Sequence, residues 1–302
     1  MKTRVPSVLV GERIDRIVAT LTDLPRSAVA DLVSSGCVLV GGRIVVQRSE
    51  RVHEEAWLEV NTQGANQSRS PVPDDRVEFE VVHADEDLII VDKPAGLVVH
   101  PGAGNPAGTL VNGLLRRFPE IAAVGDPTRP GIVHRLDKGT SGLMAVARST
   151  AAFGSLTDQV SSHSMTRSYL ALVWGHLDDD AGTIDAPLGR SSRQPTRMAV
   201  SAGGRPSRTH YRVVDRIDDP VRATMVECAL ETGRTHQIRV HMSAIGHPVL
   251  GDDRYAPRRS AKGLARTFLH SCRLGLAHPV TGDGIEFNSE LPDDLVVFLG
   301  RA

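Results

Sequence analysis

The stretch His134-Arg135-Leu136-Asp137-Lys138-Gly139-Thr140-Ser141-Gly142-Leu143-Met144 sets one carboxylate between two cations, just ahead of a turn of small residues. Gly131-Ile132-Val133 leads in and Leu143-Met144-Ala145-Val146-Ala147 leads out. This predicts two short buried strands with Asp137 at the tip of the loop between them. A carboxylate so placed can be a nucleophile, a base or an ion-pair partner, the pair being with Lys138 or Arg135. A second stretch, Glu231-Thr232-Gly233-Arg234-Thr235-His236-Gln237-Ile238-Arg239-Val240-His241, supplies matching cations. If the carboxylate is enclosed, burial alone raises its pKa, and an opposing arginine offsets that, best as a bidentate pair.

Other chemistries fail on the residues. Gly139-Thr140-Ser141-Gly142 lacks the Gly-x-Ser-x-Gly spacing of a hydrolase elbow. No Gly-x-x-x-x-Gly-Lys phosphate loop is present. His134, His236 and His241 match no metal-ligand spacing and read as buried, hydrogen-bonded histidines. The 3 cysteines, Cys37, Cys228 and Cys272, form no Cys-x-x-Cys pair, so neither a zinc site nor a disulfide framework is expected.

The elements that position these residues fall into two groups. A chain of 302 residues with 40% hydrophobic content supports one large packed domain or two smaller ones. The sequence predicts a first domain over 1–62, a linker over 63–75 and a second domain over 76–302. The linker rests on the stretch Asn61 to Pro73, Asn-Thr-Gln-Gly-Ala-Asn-Gln-Ser-Arg-Ser-Pro-Val-Pro, which is polar, lacks periodicity and ends in prolines. In the first domain, apolar spacing predicts helices over 13–21 and 27–33, a hairpin of 37–40 and 43–46 about Gly41-Gly42, and a strand over 57–60. In the second, strands are expected over 77–82, 88–91, 96–99, 169–174, 207–214, 224–230 and 268–274. Helices are expected over 109–117, 151–161 and 292–299. Hairpins with interspersed helices argue for an α+β fold.

A net charge of -1 excludes a protein that grips nucleic acid by bulk charge, but the distribution is uneven. Residues 186–212 carry arginines at 190, 193, 197, 205, 208 and 212 and no acid. Residues 254–273 carry five arginines and Lys262, again without an acid. Two basic stretches on a neutral body suggest a local polyanion footprint, or two solvated surfaces. The first residues lack the apolar run of a signal peptide. No stretch approaches the ~18 apolar residues of a membrane span. A cytoplasmic protein without membrane attachment is expected.

Together the two stretches around Asp137 and Arg239 resemble the signatures of the RluA-type pseudouridine synthases, which isomerise uridine within RNA. Further matching segments lie at 91–101, 184–190 and 246–252, so the resemblance covers almost the entire chain. It implies a mixed, largely antiparallel central sheet with flanking helices. It also implies a reaction in which the sugar–base bond breaks, the base rotates and a carbon–carbon bond forms. Asp137 becomes the essential carboxylate, and no cofactor or metal is called for. Arg239, which follows His-Gln-Ile, becomes its partner, with Arg234 the second candidate. Tyr169, within Arg167-Ser168-Tyr169-Leu170-Ala171, takes the role of stacking on the flipped uracil. Leu269 becomes the apolar wall of the pocket, and Arg135 the residue that fills the gap left in the RNA. Arg190, Arg193 and Arg197 are candidates for phosphate contacts.

The first domain, with Arg13, Asp15, Arg26, Ser27 and Gly36, resembles the ribosomal-protein-S-four-like RNA-binding domain, although its charges balance. Family members with that domain act on 23S rRNA or its large-subunit precursor, and the subgroup resembled here acts on the helix sixty-nine stem-loop. Other 23S positions, tRNA, a non-catalytic role in RNA binding or ribosome assembly, and RNA N-glycosidase chemistry are the alternatives. A monomer is expected.

Overall fold

The computed structural model describes residues 1–300 apart from 25, 62–69, 103, 195, 258 and 260, and apart from the side chains of Arg26 and Ser27. Residues 63–69 of the expected linker therefore lie outside the described residues, as do the Arg26 and Ser27 side chains of the first-domain resemblance. The chain divides into two compact units, Met1–Ser70 and Pro71–Ala302.

In the first unit, strands β1 (Lys2–Arg4), β2 (Val38–Val40), β3 (Arg43–Ile44) and β4 (Trp57–Val60) form an antiparallel sheet in the order β1-β4-β2-β3. Helices α1 (Ile14–Thr22) and α2 (Arg26–Ser34) contribute Ile14, Ile17, Val18, Val29, Leu32 and Val33 to one buried cluster with Val38 and Leu58. The helical spacing in the sequence fixes this pattern, since residues three and four apart share a face.

The second unit is built on a nine-stranded sheet. Its strands are β5 (Glu80–Ala84), β6 (Leu88–Lys93), β7 (Ser141–Ala147), β8 (Thr166–Trp174), β9 (Ala181–Asp185), β12 (Arg208–Ile217), β13 (Ala223–Leu230), β14 (Leu269–Ala277) and β15 (Gly284–Asn288), with β10 (Leu188–Arg190) and β11 (Met198–Val200) forming a separate hairpin. The order is β5-β6-β7-β14-β8-β13-β12-β9, and β15 pairs with β14. Pairings are antiparallel except β7 with β14, which is parallel at Ser141–His270 and Gly142–Ser271. The fold is α+β, as the sequence predicts.

The central strands read as unbroken apolar runs because both sheet faces are covered. Along β6, Ile89 and Val91 enter one buried cluster while Leu88 and Ile90 enter another. Along β8, Tyr169, Ala171 and Val173 face the first cluster, and Leu172 faces a third. Helices α3 (Leu110–Arg117), α4 (Thr150–Ser161), α5 (Gln237–Ala244) and α6 (Asp293–Phe298) complete the unit. Thr109 and Asn112 cap α3 reciprocally, the Asn112 carbonyl oxygen accepting from the Thr109 backbone N–H at 2.9 Å.

Two expectations change, and one helix has none to meet. Residues 96–99 are not a strand, because their carbonyls serve other partners. Val98 and Val99 accept from the first N–H groups of α3, at 2.8 and 3.0 Å, and Leu97 accepts from Lys93 Nζ at 2.9 Å. The lead-in 131–133 makes a single bridge, Ile132 to Val146, since the Ile132 N–H is held in a turn by the Arg129 carbonyl at 3.2 Å. Helix α5 carries no sequence expectation. Its buried residues include Gln237, Arg239 and His241, so apolar periodicity does not announce it.

Candidate active site

Asp137 stands in a loop fixed from three sides. The Thr140 N–H donates to the Asp137 carbonyl at 3.1 Å, which closes the turn. The Gly96 N–H donates to the Lys138 carbonyl at 2.7 Å. Arg266, paired with Asp294 at 2.6 and 2.9 Å, reaches Ser141 Oγ at 3.1 Å and the Gly139 carbonyl at 3.3 Å. Gly142 lets the loop return into β7. Its φ is +109°, and a Cβ there would lie 2.3 Å from the Ser271 carbonyl oxygen on the adjoining parallel strand.

Arg239 comes from the first turn of α5 and is 8% exposed. Gln237 sets that turn. Its carbonyl oxygen accepts from Thr232 Oγ1 at 2.7 Å and from the Arg234 N–H at 3.0 Å, and its amide donates to the Arg208 carbonyl at 2.9 Å. Arg239 Nη1 donates to Asp137 Oδ2 at 2.9 Å. The pair to Asp137 is thus single, not bidentate. The bidentate partner is Asp252, which accepts from Nε at 2.6 Å and from Nη2 at 2.9 Å. Asp252 is 1% exposed and also accepts from the Arg254 and Tyr255 N–H groups, each at 3.0 Å. Burial works against its charge, but these bonds outweigh it and hold the carboxyl below the usual carboxylate range. Burial likewise opposes the Arg239 charge, and the Asp252 hydrogen bond followed by Asp137 overcomes it, raising the pKa. The Tyr255 ring lies 5.2 Å from the Arg239 guanidinium.

A cavity of about 240 Å³ opens beside this pair. Asp137, Arg239, Tyr169, Leu269, Arg135 and Arg234 all line it. Tyr169 and Leu269 are 6% and 4% exposed and belong to one apolar cluster, so they form a wall. Arg135 is exposed, with Nη1 2.8 Å from His100 Nε2. Arg234 gives its Nε to the Pro206 carbonyl at 3.3 Å, so Arg239 alone of the two pairs with Asp137 among the described residues. Neither Lys138 nor Arg135 takes that place. Arg190, Arg193 and Arg197 do not line this cavity among the described residues. They sit on the β10–β11 hairpin, which meets the Asp252 segment where Met198 N donates to Tyr255 Oη at 3.2 Å and Arg254 donates to the Thr196 carbonyl at 3.1 Å.

The three motif histidines are held by hydrogen bonds. His134 Nε2 accepts from the Ala145 N–H at 2.9 Å, and burial, then the charge of Arg167, pushes it down to about 3. His241 Nε2 donates to the Ala186 carbonyl at 3.0 Å. His236 caps α5 in a left-handed conformation, with Nδ1 2.8 Å from Tyr255 Oη and Nε2 3.9 Å from Asp137 Oδ2.

Sequence reasoning misses Asp252, Tyr255 and Lys93. Asp252 and Lys93 each lie inside a motif matched as a whole, and their burial is the signal that only packing provides. Lys93 is fully buried and donates to the Pro94 and Leu97 carbonyls at 2.8 and 2.9 Å. Burial lowers it to about 7, with Asp137 acting in the opposite sense. Among the described residues no cluster of His, Cys, Asp or Glu is placed to hold a metal, and no helix is long and apolar enough to cross a membrane.

A carboxylate braced by a buried arginine thus lines a partly apolar cavity on a largely antiparallel sheet. Residues 87–244 match the family described as RNA pseudouridylate synthase. An uncharacterized RNA pseudouridine synthase of Chloroflexus aurantiacus is 46% identical over 300 residues, covering 98% of this chain and 91% of its own. The ribosomal large subunit pseudouridine synthase D of Zymomonas mobilis is 42% identical over 299 residues, covering 95% of this chain and 92% of its own. Among solved structures, human RNA pseudouridylate synthase domain containing 1 matches with a TM-score of 0.60 at 28% identity, over 75% of this chain and 89% of that one. The chain belongs to the RNA pseudouridylate synthase family, and its activity is the isomerisation of uridine in RNA.

Proposed function

We propose that this protein converts specific uridines of 23S rRNA, in the helix sixty-nine stem-loop, to pseudouridine, with Asp137 as the essential carboxylate. The observation that carries the assignment of Asp137 is its 2.9 Å bond to the buried Arg239 in the lining of a cavity that Tyr169 and Leu269 share. The rRNA substrate rests on the relatives named for the large ribosomal subunit. Breaking the sugar–base bond leaves the sugar carbon electron-poor, as in glycoside cleavage, and a neighbouring carboxylate attacks it, stabilises it or accepts a proton. Arg239 holds that carboxylate in place through its 2.9 Å bond and sets a positive charge beside it. The target base must be flipped to reach it. Tyr169 stacks on the flipped ring, Leu269 backs it, and Arg135 at the cavity mouth fills the gap in the RNA. The unit Met1–Ser70 acts as an S-four-like RNA-binding domain, and Arg190, Arg193 and Arg197 meet phosphates.

A pseudouridine map of total cellular RNA tests this reading, in a deletion strain complemented with wild type or Asp137→Asn. Signals that vanish from the 23S stem-loop and return only with wild type are expected. Signals lost from tRNA alone would overturn the substrate. Full rescue by Asp137→Asn would overturn the role of Asp137.

A further inference from the structure

Arg167 is 3% exposed and lines the same cavity as Asp137, two residues before Tyr169 on β8 and therefore on the same face of the strand. Its Nε is buried without an acceptor among the described residues. Its one hydrogen bond there is a long one, Nη2 to the Glu231 carbonyl at 3.3 Å, and no carboxylate pairs with it. Buried guanidinium groups are ordinarily saturated, and such an orphan at a functional site calls for a ligand. Gly233 makes room for it: a Cβ there would lie 2.7 Å from Arg167 Nη1.

We propose that Arg167 hydrogen-bonds the carbonyl oxygens of the target uracil and stabilises the negative charge that the base acquires when its bond to the sugar breaks. This rests on the uridine-isomerising reading of the cavity. When the C1′–N1 bond breaks, its electron pair stays with the base and spreads over N1, O2 and O4. The new C1′–C5 bond then takes an electron pair from the base. C5 loses its proton and N1 gains one, so composition is unchanged and no further reactant enters. Asp137 serves the electron-poor sugar and Arg167 the electron-rich base, opposite charges at the two ends of one breaking bond. Arg239 is already engaged by carboxylates at all three nitrogens, Nε and Nη2 by Asp252 and Nη1 by Asp137, which fixes its direction and offsets its charge. His134, pushed down to about 3, is neutral and adds no charge. A donor preset where charge develops acts without reorganisation at the moment of reaction.

The test uses 5-nitrouracil, an anion at pH 8, and neutral uracil as free-base probes, titrated against the full chain. Wild type is expected to bind the anion at least about tenfold more tightly, and Arg167→Gln to lose that preference. Arg167→Lys, which keeps the charge without the planar fork, keeps a reduced preference and carries the comparison if Arg167→Gln fails to fold. In single turnover on unmodified 23S rRNA transcript, Arg167→Gln is expected to slow pseudouridine formation about a hundredfold or more, with RNA affinity unchanged. An anion preference equal in wild type and Arg167→Gln, no anion preference in wild type, loss of all preference in Arg167→Lys, or an undiminished single-turnover rate would each overturn the proposal. Wild type that makes no pseudouridine in any RNA would overturn the function proposed above, and the free-base titration would still judge Arg167.

Discussion

Asp252 holds Arg239 along one edge of the guanidinium, Nε at 2.6 Å and Nη2 at 2.9 Å, and so turns Nη1 toward Asp137. The half-buried carboxylate that lines the cavity is thus positioned, through Arg239, by a second carboxylate that is fully buried. A buried arginine shared by two acids keeps a fixed direction, because rotating it toward one would break two charge-assisted bonds to the other.

Asp252→Asn is therefore expected to destabilise the protein by up to about 3–5 kcal/mol, the range for breaking a buried pair, because Arg239 keeps only its single bond to Asp137. Urea unfolding measures this. Asp252 is held below its ordinary range in the folded state, so its contribution is complete above the unfolded value of about 3.9. It is lost as the pH falls through the depressed native value. Wild type is expected to lose stability below about pH 4 more steeply than Asp252→Asn, and equal slopes would contradict the clamp.

Lys93 gives the opposite pH signature. Its folded value is lowered to about 7, against an unfolded value of about 10.4. Between those limits the unfolded chain carries more protons, so this residue makes stability rise with pH, by up to about 1.4 kcal/mol per pH unit. A neutral amine has two N–H groups, which matches the two carbonyls it meets. Urea midpoints at pH 7, 8 and 9 are expected to climb for wild type and to stay flatter for Lys93→Met.

Gly142→Ala places a Cβ 2.3 Å from the Ser271 carbonyl oxygen at a φ of +109°. The strain and the lost parallel pairing are expected to cost at least about 2 kcal/mol. Activity is expected to fall further than stability alone predicts, since the Asp137 loop enters β7 at this point. A melting temperature within a degree of wild type would refute this.

Neutralising Arg190, Arg193 and Arg197 together is expected to weaken RNA binding without preference for sequence. Each phosphate contact removed lowers the slope of log K against log salt by about 0.7–0.9. Filter binding at a series of salt concentrations reads this directly. An unchanged slope would place the β10–β11 hairpin away from the RNA.

Much of this molecule is written locally. The runs Leu-Ile-Ile-Val at 88–91 and Leu-Ala-Leu-Val at 170–173 mark central strands, because a strand buried on both faces needs apolar side chains at every position. Helical spacing marks α1 and α3 for the same kind of reason. The motifs around Asp137 and Arg239 name the pair that the fold brings to 2.9 Å across 102 residues of chain. What the chain order cannot carry is which polar group becomes buried and against what. Asp252 reads as a loop acid, Lys93 as a strand-end cation and Arg167 as a basic residue before a tyrosine, each ordinary in sequence. The parallel contact of β7 with β14, the turn of α5 and the close approach at Gly142 decide their surroundings. A hydrogen bond depends on distance and on the exclusion of water, and packing between distant segments sets both.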